Sequence, residues 1–180
     1  ILGVAIVSML FSCTTDDTAD IIINDNSDNS VTNNVNPGGG TPTGQTIYLA
    51  GSYDADLTLD PINTYILNGS LIMLDGTTLT IPAGMTIKAS ASGASVYIAI
   101  SQGAKIIASG TPTEPIVLTS NATNPAAGDW GGLILLGKAP INSVVAGATS
   151  TSEIASLPYG GTNPADNSGT IQYLRVEYSG

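Results

Sequence analysis

Histidine is absent from the 180 residues, and cysteine, tryptophan and phenylalanine each occur once. Without histidine, no triad with an imidazole base and no histidine-ligated metal site can be assembled. A single cysteine, Cys13, forbids an internal disulfide. Positive charge is almost as scarce: Lys88, Lys105, Lys138 and Arg175 stand against fourteen acids, for a formal net charge of −10. Four cations cannot neutralise a phosphate backbone, so nucleic acid is excluded as a partner. Glu, Lys and Arg are few while Gly, Thr, Ser and Ala abound, a balance that favours β structure with tight turns over helix. The chemistry left to the chain is that of carboxylates, Lys, Arg and Tyr.

The chain does contain a repeat. Residues 79–90 align without a gap on residues 98–109, an offset of 98 − 79 = 19 that sets Leu79 on Ile98, Ile81 on Ile100, Gly84 on Gly103 and Ile87 on Ile106. A period near twenty is the signature of a solenoid. Short apolar strands at 65–67, 71–74, 79–81 and 85–88 are punctuated by Gly69, Gly76 and Gly84, seven (76 − 69) and eight (84 − 76) residues apart. Three such spacings per period predict an all-β fold, a right-handed parallel β-helix with three strands per coil stacked at ~4.8 Å. The offset predicts that Leu79 stacks on Ile98 and Ile87 on Ile106, with Gly84 under Gly103 in a turn ladder. A third coil is expected to enter at 114–120, with Ile116 at an offset of 116 − 98 = 18 from Ile98. The aliphatic run Leu133-Ile134-Leu135-Leu136 predicts a strand buried on both faces, with the loop 142–169 folded back over it and a coil restarting at Thr170. The rival fold is an antiparallel sandwich, in which hairpins would replace this register.

Ahead of the solenoid, residues 1–11 form an uncharged, mostly apolar run, too short to span a bilayer and the right size for the apolar part of a signal peptide. Leu10-Phe11-Ser12-Cys13 resembles the lipobox of bacterial lipoproteins, which implies cleavage before Cys13 and a lipid on its thiol. A signal peptide opens with Met and a basic segment, yet the first basic residue is Lys88; the start of the peptide is therefore expected to precede Ile1. Thr14-Thr15-Asp16-Asp17 resembles the acidic export tag of some Bacteroidota lipoproteins, and Asp17-Thr18-Ala19 the short O-glycosylation motif of that phylum. Residues 20–45, rich in Asn, Asp, Ser, Thr and Gly, cannot bury enough surface to offset their ordering entropy and read as a tether. The division expected is thus 1–12 signal peptide, 13–45 lipidated Cys13 and tether, and 46–180 β-helix.

Gly128-Asp129-Trp130-Gly131-Gly132-Leu133-Ile134-Leu135-Leu136-Gly137-Lys138-Ala139-Pro140-Ile141-Asn142, followed by Tyr159-Gly160-Gly161-Thr162 and by Tyr173-Leu174-Arg175-Val176-Glu177-Tyr178-Ser179-Gly180, resembles a family of Bacteroidota surface lipoproteins with a pectin-lyase-like β-helix. The resemblance covers roughly residues 46–180. It implies a lipid-anchored protein of the outer membrane, exposed at the cell surface, whose helix continues past Gly180 so that the C-terminal end here is an open coil. It implies no activity.

Candidate sites follow from residue type. Asp54, Asp56 and Asp60 share one face of an extended segment and could hold Ca²⁺; the competing reading is a solvated acidic loop in which Asp60 before Pro61 initiates a turn. Trp130 and Tyr159, with Asp166 and Asn167, could bind a polysaccharide through ring stacking and hydroxyl contacts; the competing reading buries Trp130 and makes 166–169 an ordinary turn. Tyr48, Tyr65, Tyr97, Tyr173 and Tyr178 read as strand residues. The basic residues and Asp129, Glu153, Asp166 and Glu177 form no ladder, although Arg175 and Glu177 share a face and can pair. No catalytic residue is assigned and no cofactor is expected other than Ca²⁺ on the aspartates. The expected role is a surface-anchored binding or structural module directed at glycans. The alternative is a polysaccharide lyase or glycoside hydrolase with catalytic coils beyond Gly180.

Overall fold

The computed structural model describes residues 43–142 and 148–180. All of them lie in the unit Asn36–Gly180; the signal-peptide, lipobox and tether assignments, Cys13 included, concern residues outside the described set. Thirteen strands and, among the described residues, no helix make up the unit. Burial alternates with period two, as in β5 and β7 (Thr86–Ala89 and Lys105–Ser109), because successive side chains of a strand point to opposite faces.

The strands wind as coils with three sides. On the first side the N-terminal half of β1 (Thr46–Tyr53) is followed by that of β3 (Thr64–Met73), then β5, β8 (Ile116–Ser120) and β13 (Leu174–Val176). The second side stacks the C-terminal halves of β1 and β3 under β6 (Gly93–Ile100) and β9 (Trp130–Leu135), with Ser179 bridging back to Trp130. The third side stacks β2 (Leu57–Thr58), β4 (Thr78–Ile81), β7 and β12 (Gly169–Gln172). Every one of these pairings is parallel. The fold is the parallel β-helix that the spacing predicts, and the sandwich is excluded.

The stacking register differs from the predicted one. Leu79 lies under Ile106, not Ile98 (106 − 79 = 27), and Ile98 lies over Leu71 (98 − 71 = 27). Ile87 lies under Leu118, not Ile106, and Val117 over Thr86, so β8 belongs to the first side and not to the side of Ile98. The offset of 19 relates two corners of the winding that are separated by a third, the one between β5 and β6. Residues 79–90 carry the chain from the third side to the first, residues 98–109 from the second to the third, and each is a strand, a turn and a strand. Gly103 (φ +83°) has its vertical partner in Gly76 (φ +85°), whose N–H bonds the Gly103 carbonyl at 3.2 Å. Such a φ is open to glycine at no steric cost.

Inside, ladders of Leu71–Ile98–Leu133, Met73–Ile100, Leu57–Leu79–Ile106 and Tyr65–Ile87–Leu118 form the core. Each fully buried aliphatic contributes roughly 1.5–3 kcal/mol. The expected burial of the whole run 133–136 is met only at Leu136, which is 3% exposed; Leu133 and Ile134 are half-buried and Leu135 is 44% exposed. Of the expected cover 142–169, the described parts form a short antiparallel ribbon, β10 (Ser150–Thr151) with β11 (Pro158–Tyr159), and bond to the corner after β9 at Gly137 and Lys138. The coil does restart at β12, in register with β7.

Candidate functional site

Two places gather polar side chains across several coils. The first is the outward surface of the first side. Residues alternating with the core ladder form two outward rows, Thr46–Thr64–Thr86–Val117–Arg175 and Tyr48–Ile66–Lys88–Thr119. Glu177 continues the second row, accepting a 3.0 Å bond from the Thr119 hydroxyl. Arg175 pairs with Glu177, as their i, i+2 spacing predicts. Tyr48 is 62% exposed at the far end. Three of the chain's four cations stand on flat sides, Lys88 and Arg175 here and Lys105 on the third, whereas Asp54, Asp56, Asp60, Asp75, Glu114 and Asp129 sit outside the strands.

The second place is the corner between the second and third sides, where residues 136–168 replace the short turn that 101–104 make one coil below. The Gln102 side-chain amide donates to the carbonyls of Gly137 (2.9 Å) and Gly160 (2.6 Å), tying both ends of this excursion to the coil beneath. The Gly160 N–H bonds the Gly137 carbonyl, and Asn163 N–H that of Lys138. Lys138 reaches across the third coil to Asp75, Nζ to Oδ1 3.1 Å. It passes over Gly103, where a Cβ would collide with both charged groups. Both ends of that ion pair are well exposed, which limits its worth to under about 1 kcal/mol.

The sequence-derived candidates are dispersed. Tyr159 is half-buried in β11, one residue before the Gly160 whose N–H bonds the Gly137 carbonyl, and Asp166 accepts the Lys138 N–H at 2.6 Å. Asn167 accepts its own neighbour's amide, Gly169 N–H at 2.7 Å, the ordinary turn of the competing reading. Trp130 is not with them. It is 1% exposed, with its indole N–H bonded to the Glu177 carbonyl at 2.8 Å, so neither ring face is open to a sugar; the sheet between Gly-flanked corners draws it into the core. Asp54, Asp56 and Asp60 do not converge either. The chain bends between β1 and β2, Asp56 accepts the Thr78 N–H at 2.7 Å, and Asp60 caps the turn at Ile62 N–H at 3.0 Å. Among the described residues no three Asp, Glu, His or Cys side chains come close enough to share an ion.

One carboxylate is electrostatically set apart. Asp129 Oδ2 accepts the buried Ser120 hydroxyl at 2.5 Å and the Ala126 N–H at 3.1 Å, and these bonds hold its pKa below the ordinary aspartate value. Two tyrosines were assigned to strands by sequence and are not strand residues: Tyr173 and Tyr178 occupy corners with φ of 47° and 59°, exposed by 57% and 42%. The signal that points to a corner at Tyr173 is the failure of period-two alternation between Ile171 and Leu174, both of which belong to inward rows.

Comparison with known proteins agrees with this geometry. Neither curated proteins nor solved structures returned a match. The family model described as pectate-lyase like beta helix domain matches residues 51–180, from the bend of β1 through every coil to the end of the chain. By that match and by its three-sided parallel winding, the chain belongs to the family of pectate-lyase-like beta helix domains.

Proposed function

We propose that this β-helix is a glycan-binding module displayed at the cell surface, anchored in the outer membrane by lipid on Cys13. The observation that supports binding is the pair of outward rows on the first side. They present hydroxyls, Tyr48, Lys88 and the Arg175–Glu177 pair at one rung per coil, an extended polar surface suited to an extended polymer. The lipobox-like 10–13 and the tether-like composition of 13–45 support the anchor. Binding is tested by co-sedimentation of the full chain with insoluble polysaccharides; retention in the pellet by at least one is expected, and retention by none rejects the reading. The anchor is tested by metabolic labelling with a fatty acid, in which label is incorporated into the natural protein and lost in Cys13→Ala. Label surviving that substitution rejects lipidation.

The family description, pectate-lyase like, favours one other reading, an enzyme that cleaves polysaccharides. It predicts new ultraviolet absorbance from unsaturated uronate product, or reducing ends, when the full-length protein is incubated with uronate polymers or neutral glycans. Either product displaces the purely binding role.

A further inference from the structure

The last described coil turns two of its corners on tyrosine. Tyr173 is the single residue between Gln172, paired with Ser109 on the third side, and Leu174, paired with Ile116 on the first. Tyr178 is the single residue between Glu177, whose N–H bonds the Leu118 carbonyl, and Ser179, which bridges Trp130 on the second side. Both lie in the left-handed region, at φ 47° and 59°. Glycine fills such a corner freely and asparagine nearly so, whereas a bulky L side chain is strained there. Among the described residues nothing buries the two side chains, which are 57% and 42% exposed. Strain of this kind, held by the surrounding ladder and unrewarded in the core, marks positions kept for a surface role.

Between the two rings lies the outward surface of β13. Five residue steps (178 − 173) of ~3.3 Å separate the corners by at most roughly 16 Å. Arg175 and Glu177 point outward within that span, joined to each other, with Glu177 also bonded by Thr119. The rings offer flat apolar faces, the guanidinium offers N–H donors and the carboxylate offers acceptors. The guanidinium charge is already met by Glu177, and the whole chain carries −10. An acidic polymer would find no unmatched cation in this span and a repulsive field around it.

We propose that Tyr173 and Tyr178 form a ring-stacking platform for an uncharged glycan laid along β13, its hydroxyls bonded to Arg175 and Glu177. This rests on the glycan-binding reading above and narrows it to a place and a ligand class. The test is native affinity electrophoresis of the full chain through gels containing galactomannan, xyloglucan or mixed-linkage β-glucan, with polygalacturonate as the acidic counterpart. At least one neutral polymer retards the natural protein. The double variant Tyr173→Asn/Tyr178→Asn weakens that retardation at least tenfold in apparent Kd, while its melting temperature stays level or rises, because asparagine accepts the left-handed corner. The double variant Tyr173→Phe/Tyr178→Phe keeps the rings and binds within about threefold. The proposal is overturned if the Asn variant binds normally, if it loses binding together with a fall in melting temperature, or if the Phe variant fails to bind while melting normally. Retardation by polygalacturonate alone rejects the uncharged ligand and leaves glycan binding standing. Retardation by no polymer, with none bound in the sedimentation test, removes both.

Discussion

At Asp129 a single carboxylate closes the corner that joins β8 to β9. Its bonds from the Ser120 hydroxyl and the Ala126 amide are both stronger to the ionised form, and Ser120 is buried at 6% exposure, so the hydroxyl has little water to fall back on. The folded-state pKa is therefore depressed, by the Ser120 bond first and the Ala126 bond second. With a depressed carboxylate the stabilisation is complete above the unfolded value, about 3.9, and is lost as pH falls through the folded value. Asp129→Asn removes the titration but keeps an acceptor oxygen. The urea midpoint of the natural protein should exceed that of the variant near pH 6, and the gap should close progressively below about pH 4. A gap that stays constant down to about pH 2.5 would show that this carboxylate is not linked to folding. Gly103 makes the complementary point at the same scale: its missing side chain is the space through which Lys138 meets Asp75.

Strands and corners show what was legible in the sequence and what was not. Period-two burial, glycine-punctuated turns and a repeated strand–turn–strand unit were all readable, because each is set by residues near one another in the chain. The vertical register was not. It depends on how many residues each corner absorbs, and the coils here are unequal: Tyr65 to Ile87 is 22 residues (87 − 65), Ile87 to Leu118 is 31 (118 − 87), and Leu118 to Val176 is 58 (176 − 118). A fixed offset could only find resemblance between corners, and 19 did that. For Trp130 the burial of the competing reading holds, but its partner was not legible for a related reason, since the carbonyl that accepts its indole N–H belongs to Glu177, 47 residues away. The three aspartates looked aligned because the bend between β1 and β2 leaves no mark in the alternation. Register is directly testable on the outward surface of the third side, where Thr80 lies beside Ile107. In a Cys13→Ser background, Thr80→Cys with Ile107→Cys should oxidise to a disulfide, neighbouring strands being about 4.8 Å apart and within bridging range. Thr80→Cys with Ala99→Cys, the pair that an offset of 19 would stack, should remain reduced, as followed by mass and by gel mobility. The opposite result would restore the shorter period.

The described unit is a one-dimensional stack in which each coil is stabilised by the coil below and the coil above. Strands of the third coil have both neighbours: β5 lies between β3 and β8, β6 between β3 and β9, and β7 between β4 and β12. Among the described residues no strand stacks beyond β12 and β13, every residue of β12 is exposed and in β13 only Leu174 is partly covered, so in the 180-residue chain their backbone bonds are the least protected. Amide exchange should accordingly be slowest in β4 to β7 and fastest in β12 and β13, with β1 and β2 intermediate. Ile98, wholly buried between Leu71 and Leu133, is the place to perturb this gradient. Ile98→Ala removes about 2–5 kcal/mol of packing. In a globular core that loss would lower protection everywhere, because unfolding is all-or-none. In a stack it weakens two interfaces, so exchange measured by mass spectrometry should accelerate most in β6 and in its neighbours β3 and β9, and markedly less in β1 and β2. Uniform acceleration across all peptides would mean that the coils unfold as one body, and that the corner excursion at 136–168, fastened by Gln102 and by the Lys138–Asp75 pair, couples the stack more tightly than nearest-neighbour pairing alone.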